Sequence, residues 1–300
     1  MEFLIHVRTY IMHRTHFLKT LAALPVGAFA MDLKTFTQKI SEDKVSERMP
    51  ALFVGHGNPM HALNNNVFTQ TLSKIGVSIE KPKAILIVSA HWLTRGTFVA
   101  DTPKPETIHD FGGFPDALFQ VQYNAPGAPG LAKELAAQIP NSQLDHDWGL
   151  DHGAWTVLKH MYPKADIPVF QLSIDYSKPE SYHLELAKHL DFLRNKGVLV
   201  LGSGNIVHNL RLVNWQNPDS AFDWAKEFDE KVKTHLIDGN YSELANYRSW
   251  GKYAQLAVPS NDHYLPMMYT IGIAQPKEEI TFLFEGFEMG SISQRCFIVA

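Results

Sequence analysis

The sequence has little cysteine, no excess of positive charge and no long apolar run. Cys296 is its one cysteine, which excludes an internal disulfide and a thiolate zinc site, and we expect it in a C-terminal strand. Lysine and arginine number 27 against 31 aspartate and glutamate, a formal net charge of -4, so no basic stripe is available for nucleic-acid phosphates. The apolar residues 21–30 are too few to span a bilayer. We therefore expect neither a nucleic-acid partner nor a stable membrane span.

Residues 1–48 are predicted to form an N-terminal extension to a single domain over residues 49–300. Basic residues precede the apolar residues 21–30, and the small residues Ala28 and Ala30 resemble a cleavage site, a layout typical of an export signal. One arginine of the twin-arginine pattern is missing. The alternative is an amphipathic or disordered N-terminal tail, which a wrongly chosen start codon upstream of Met12 would lengthen. A cytoplasmic location is favoured, with periplasmic export as the alternative.

Short apolar runs alternate with amphipathic stretches from residue 50 onward. Runs that end in glycine or serine predict buried strands, and apolar residues at helical spacing predict helices between them. We expect strands at residues 51–54, 84–88, 167–174, 197–201, 280–284 and 295–299, and helices at 68–75, 130–139, 181–194 and 222–237. The last two strands are expected to pair as a hairpin. The alternation predicts an α/β single domain with a central, mainly parallel (mixed) sheet flanked by helices on both faces.

Histidines follow three of the predicted strands within a few residues: His56, His91 and His208. The carboxyl ends of parallel strands share one edge of a sheet, where ligands bind in the crevice. Neutral imidazoles gathered there can hold a divalent metal ion. The Gly-x-Gly sequence before His208 lacks the third glycine of a dinucleotide-binding fingerprint, so a nucleotide site is rejected. The sequence therefore predicts a metalloenzyme.

Three further histidines lie in segments that suggest a shaped pocket. His263 is expected at the start of a helix capped by Asp262, directed toward the same cleft. His152 is flanked by glycine and aromatic residues, and a neutral histidine there can carry a proton near pH 7. His109 ranks below it for the same role or for shaping the pocket. Five aromatic residues either line this pocket or pack in the core: Trp92, Phe111, Phe114, Tyr123 and Trp155.

Six segments, in order along residues 49–300, together resemble the class III extradiol ring-cleavage dioxygenases of the LigB type, specifically their bacterial DOPA 4,5-dioxygenase-like branch. The segments are PALFVGHG at 50–57, VSAHW at 88–92, TIHDFGGFP at 107–115, LDHG at 150–153, GNIVHNL at 204–210 and DHYLP at 262–266. The resemblance implies a LigB-like fold and an enzyme that inserts both atoms of O2 into one substrate. That substrate is a catechol such as L-DOPA, and the product is a muconic semialdehyde.

The resemblance also implies one divalent metal ion per chain at three ligand positions: His56, His91 and His263. His208 matches a position that acts as a fourth ligand or as the catalytic acid–base, His152 is the other candidate proton carrier, and His109 is assigned to substrate binding. Much of the family uses two histidines and a glutamate on iron, whereas the third position here is His263. Because three imidazoles suit zinc as well as iron, and zinc has no redox chemistry, Fe(II) is expected for activity and Zn(II) as an alternative occupant.

Two other functions stay open on the residues alone. A zinc hydrolase needs a general base, but no His-Glu-x-x-His helix occurs and no spacing singles out one of the nearby carboxylates: Asp110, Asp151 and Asp262. A non-catalytic metal-binding or peptide-binding module on the same scaffold is the second alternative. Oxygen uptake separates the dioxygenase from both. The expected partners are a small-molecule catechol and O2, and the sequence does not indicate an oligomeric state.

Overall fold

A computed structural model describes residues 48–218 and 220–300. The predicted extension lies outside the described residues apart from Arg48, and its boundary stays a prediction. The strands of the described part are β1 (Ala51–Gly55), β2 (Ala84–Ser89), β3 (Leu93–Thr94), β4 (Phe98–Ala100), β5 (Gln143–Asp145), β6 (Val169–Gln171), β7 (Ile174–Asp175), β8 (Val198–Gly204), β9 (Ile280–Phe284), β10 (Phe287–Glu288), β11 (Ile292–Ser293) and β12 (Cys296–Val299).

The helices of the described part include several single turns. The α-helices are α1 (Val67–Ser78), α2 (Asp116–Phe119), α3 (Pro129–Gln138), α4 (His152–Met161), α5 (Glu180–Ala187), α6 (Asp191–Asn195), α7 (Asp223–Ile237), α8 (Tyr241–Ala245), α9 (Lys252–Ala257) and α10 (Leu265–Ile271). Shorter 3-10 turns occur at Pro59–Ala62, Lys188–Leu190, Leu210–Leu212 and Tyr247–Trp250. Within residues 48–218 and 220–300, none of these helices has the length and apolar character needed to cross a bilayer.

Six strands form the central sheet in the order β6-β2-β8-β1-β12-β9. The four strands from β6 to β1 are parallel to one another, and β12 and β9 are antiparallel at the far edge. The prediction of a mainly parallel, mixed sheet with a closing hairpin of its last two long strands is therefore confirmed. The parallel strands bring the carboxyl ends of β1, β2 and β8 to one edge.

Side chains alternate across β1, so each face of the sheet has its own apolar core. Phe53 faces a cluster that includes α7 and α10, and Leu52 and Val54 face a cluster that includes α1 and α4. Because the sheet is buried on both faces, its parallel strands carry apolar residues throughout. Helices therefore cover both faces of the sheet, as predicted. Cys296 is buried in β12, also as predicted.

Three sequence-based boundaries are wrong. The strand expected at 167–174 divides into β6 and β7, which belong to different sheets. The helix expected at 181–194 is interrupted by the 3-10 turn Lys188–Leu190. α10 begins at Leu265 rather than at His263, and Asp262 does not cap it. The carboxylate of Asp262 instead accepts a hydrogen bond from the neighbouring imidazole, a side-chain partner that competes with capping.

Candidate active site

Four imidazoles converge at the carboxyl edge of the sheet. His56 follows β1, His91 follows β2, His152 opens α4, and His263 precedes α10. Gly204, at the end of β8, lets the backbone of His263 come close to the sheet. A Cβ at this position would lie 2.2 Å from the carbonyl oxygen of His263. The backbone N–H of Asn205 donates to the same carbonyl at 2.8 Å. A glycine at the end of β8 thus lets the segment of His263 lie directly against the sheet.

The rings of three of these histidines form a nearly equilateral triangle. The ring centres of His56 and His91 are 5.1 Å apart, those of His56 and His263 are 5.3 Å apart, and those of His91 and His263 are 5.0 Å apart. The Nε2 atoms of His56 and His91 face each other at 3.2 Å. The donor atoms of His56, His91 and His152 also lie within 4.8 Å of one another, with His91 and His152 ring centres at 3.8 Å.

Hydrogen-bond partners assign the tautomers of two triangle members. Ser203 Oγ donates to the Gly153 carbonyl at 2.6 Å, so it accepts from His56 Nδ1, which is 3.0 Å away. The carboxylate of Asp262 accepts from His263 Nδ1 at 2.8 Å. A proton on Nδ1 leaves the Nε2 lone pair free to bind a metal, the usual arrangement for metal-binding histidines.

Burial keeps the imidazoles of His56 and His91 neutral. Burial first, and then repulsion from neighbouring histidines, lowers the pKa of both His56 and His91 well below the usual histidine range. Burial opposes ionisation of Asp262, yet the hydrogen bond from His263 lowers the pKa of this carboxyl. Neutral imidazoles and ionised carboxylates are the forms that bind and support a metal.

The donor set fits a divalent metal ion. Two nitrogen ligands at bond lengths of about 2.1 Å and angles of about 90° to 110° lie roughly 3.0 to 3.4 Å apart. The 3.2 Å between the Nε2 atoms of His56 and His91 matches that separation. Because two facing lone pairs repel each other, a shared cation is the partner that they accommodate best. Imidazole nitrogen suits both zinc and iron.

Asp110 connects His91 with His152. One of its carboxylate oxygens lies 2.9 Å from His152 Nδ1 and 3.4 Å from His91 Nδ1, and the other accepts from the backbone N–H of His152 at 2.9 Å. Burial opposes its ionisation, but the hydrogen bond from His152 lowers the pKa of this carboxyl. Asp151, which caps α4, and Ser89 hold the start of the helix through a 2.6 Å hydrogen bond. His152 is therefore held from two sides, with Nε2 free.

His208 stacks face to face on His263, with ring centres 3.5 Å apart and planes 9° from parallel. Its backbone pairs with Ile292 as an isolated bridge. Burial, followed by the charge of His263, lowers the pKa of His208 to about 2. The structure thus brings His208 to the site as a neutral ring beside the triangle.

His109 lies one layer behind the four converging histidines. Its Nε2 donates to the Val121 carbonyl at 3.0 Å, and its ring packs against three aromatic rings: Phe111, Phe119 and Trp155. Phe111 in turn contacts the His152 ring with centres 5.5 Å apart. Its predicted role in substrate binding stays a prediction.

The five aromatic residues that were expected either to line a pocket or to pack in the core divide between these two roles. Three members are buried in the core: Trp92, Tyr123 and Trp155. Trp92 stacks on Trp148, and Tyr123 donates to the Tyr162 carbonyl. Phe111 and Phe114 are half-buried, and Phe111 lies against His152. These two are the members that remain able to line a pocket.

Sequence reasoning did not assign the residues that orient the histidines. Ser203 and Ser89 are ordinary strand residues by pattern, and Asp110 lies 42 positions before His152. The one local signal was the adjacency of Asp262 to His263, which suggested a helix cap instead. Contacts of this kind depend on tertiary packing, which spacing along the chain does not encode.

Residues 49–294 match the family model described as the catalytic LigB subunit of aromatic ring-opening dioxygenase. The chain belongs to the LigB family. It is 48% identical over 254 residues to an Escherichia coli K12 protein named "4,5-DOPA dioxygenase extradiol", covering 83% of this chain and 93% of that protein. A Mirabilis jalapa protein of the same name is 37% identical over 237 residues, covering 76% and 88%.

The fold of this LigB chain also matches a solved structure. The crystal structure of an uncharacterized protein from Escherichia coli K12 superposes with a TM-score of 0.74 at 42% identity, covering 84% of this chain and all of that one. The resemblance to the class III extradiol dioxygenases, the LigB-like fold and the assignment as a dioxygenase are therefore confirmed.

Proposed function

We propose that this LigB protein opens the ring of a catechol bearing an aliphatic side chain, such as L-DOPA, with O2 and one bound Fe(II), to give a muconic semialdehyde. The triangle of imidazoles carries this proposal, because it has the donor type and spacing of a metal centre. When bound, Fe(II) supplies positions for both catechol oxygens and for O2, together with the redox chemistry that Zn(II) lacks. Relatives named for DOPA support the substrate class.

The metal ligands that we propose are His56, His91 and His263. A ring centre lies roughly 3.2 to 3.3 Å from a metal bound at Nε2, so two rings at angles of about 90° to 110° have centres about 4.5 to 5.4 Å apart. The three separations of 5.0 to 5.3 Å fall in this range. The His91–His152 separation of 3.8 Å and the His208–His263 separation of 3.5 Å are too short for pairs of ligands on one ion.

His152 is the proton carrier in this proposal. Its Nδ1–H donates to Asp110, so Nε2 presents a lone pair that accepts the proton of a catechol hydroxyl. The carboxylate then stabilises the imidazolium until the proton is returned. His208, a neutral ring stacked on His263, is the second candidate for this role. The ring of Phe111 contacts His152 and shields this imidazole from water.

Oxygen uptake and product absorbance test the reaction. Protein reconstituted with Fe(II) under anaerobic conditions, then mixed with L-DOPA and O2, is expected to consume one O2 per catechol and to form a yellow product. The Zn(II)-loaded protein is expected to do neither. A panel of catechols that produces no oxygen uptake and no yellow product would refute the proposal. Ester or amide hydrolysis by the zinc form would then indicate a hydrolase, and neither activity would indicate a binding module.

Single variants test the residue roles. Alanine at His56, His91 or His263 is expected to abolish stoichiometric metal binding, whereas His152→Ala is expected to keep the metal and lose turnover. The exposed His189 provides a matched control, and His189→Ala is expected to change neither. Metal content measured by mass spectrometry together with kcat separates the two groups. Loss of metal in His152→Ala with retention in His263→Ala would exchange their roles.

A further inference from the structure

Glu288 lies on the same face of the two-stranded β10–β11 sheet as His208, which an isolated bridge joins to β11. Glu288 of β10 pairs directly with Ile292 of β11, and Ile292 pairs directly with His208. Directly paired residues of antiparallel strands project from the same face. The three side chains therefore form a row, and two strand spacings separate the backbones of Glu288 and His208 by about 10 Å.

The same carboxylate also touches the loop that follows His56. Its Oε2 accepts from the backbone N–H of Asn58 at 3.1 Å and lies 3.1 Å from His61 Nε2. It is so close to Gly57 that a Cβ there would lie 2.8 Å from Oε2. Glu288 therefore borders the site between the loop of a proposed ligand and the row that contains His208.

The charge of Glu288 is not neutralised by its neighbours. In the described part of the chain its ion-pair partner is His61. Asn66 caps α1 by accepting from the Thr69 N–H, so its amide nitrogen faces His61 Nδ1 at 3.3 Å and donates to it. His61 Nδ1 is then an acceptor, and Nε2 is the nitrogen that donates to Glu288. The amide nitrogen of Gln294 lies 2.8 Å from the same ring nitrogen, and a flip of that amide places its oxygen there as an acceptor.

Three other buried or half-buried glutamate side chains of the described residues have a permanent cation beside them. Glu180 pairs with Arg248, Glu278 with Arg194, and Glu285 with Lys233. The Glu288 side chain is 22% exposed, and within residues 48–218 and 220–300 no group donates to its Oε1. A negative charge with one free oxygen therefore borders the site and lacks a cation.

We propose that Glu288 Oε1 binds the ammonium group of an aminated catechol, and so selects catechol amines and amino acids over catechols without an amine. The inference rests on the proposed function, because it assumes that the catechol ring lies at the histidine triangle. An ammonium supplies three donors and a full positive charge, and a charge-assisted hydrogen bond to a carboxylate is among the strongest in proteins.

Glu288→Gln is the sharpest test, since an amide oxygen preserves the contacts to Asn58 and His61 while the charge is removed. Binding of dopamine, L-DOPA and 4-methylcatechol to the metal-loaded protein is measured by anaerobic calorimetry, and turnover by oxygen uptake. We expect Kd and KM for the two amines to rise about tenfold or more, with 4-methylcatechol unchanged. Glu243→Gln, an exposed glutamate with the same charge change, is the control and is expected to alter none of them.

The outcomes separate this inference from the proposed function. If wild type turns over all three catechols and Glu288→Gln weakens binding and turnover of all three equally, the ammonium subsite is refuted. Glu288 would then serve only to hold the loop that follows His56. Amine-selective binding that Glu288→Gln abolishes, without oxygen uptake, would support the subsite and overturn the reaction. Binding of none of the three catechols would overturn both.

Discussion

Replacing Asp110 by asparagine is expected to move the proton of His152 from Nδ1 to Nε2, while the side chain at position 110 keeps its size. Asp110 now accepts from both the backbone N–H and Nδ1–H of His152, each at 2.9 Å. Asparagine has one oxygen and one NH2 group. If its oxygen keeps the backbone contact, the NH2 group faces Nδ1, and two donors oppose each other. The ring then moves its proton to Nε2, where the lone pair for the catechol proton is needed.

We expect kcat to fall on the order of 100-fold or more. A lost hydrogen bond to a charged group costs about 1.5 to 3 kcal/mol, which corresponds to roughly 10- to 100-fold. The same substitution at the carboxylate of a serine protease triad preserves geometry and lowers kcat about 10⁴-fold through the wrong tautomer. KM and metal content are expected to change little, because the three proposed ligands stay in place.

The assay is steady-state oxygen uptake with Fe(II)-loaded wild type, Asp110→Asn, His152→Ala and the double variant. Since Asp110 acts through His152, the double variant is expected to be about as slow as His152→Ala alone. Asp116→Asn, at an exposed carboxylate in α2, is the matched control. A kcat of Asp110→Asn within threefold of wild type, or losses that multiply in the double variant, would refute this reasoning.

Three further predictions concern metal binding and stability. Ser203→Ala removes the acceptor for His56 Nδ1–H and is expected to weaken metal binding about 10- to 100-fold in competition with a chelator. Burial lowers the pKa of His183 to about 4, so its protonation in the unfolded state costs stability as the pH falls below about 6.5. Through this group, the free energy of unfolding is expected to drop by about 2 kcal/mol between pH 7.5 and pH 5. In urea titrations at the two pH values, His183→Phe is expected to show a pH dependence of the unfolding free energy that is smaller by this amount. Asp229→Ala removes a buried partner of Arg295 and is expected to cost about 3 kcal/mol in the same titrations, whereas a change below 1 kcal/mol would contradict a structural role for the pair.

The alternation of apolar runs and amphipathic stretches was sufficient to predict the sheet and the position of three histidines. The strands β1, β2 and β8 are buried on both faces, so their sequences are continuous apolar runs that end where the loops begin. Because parallel strands align their carboxyl ends, His56, His91 and His208 were expected near one another. The interruptions at 172–173 and 188–190 were missed, since local propensity there gives no sign of a break.

The sequence by itself determined the residue types, the parallel sheet and the histidines that follow its strands, because these depend on short-range patterns and strand order. Only the tertiary structure decided how those residues are oriented. It brought Asp110 to His152, Ser203 to His56, and Glu288 to the loop after His56, across separations of 42, 147 and 230 residues. Tautomer, charge and ring spacing follow from such contacts. They arise from packing two helical layers on one sheet, which no local pattern in the chain specifies.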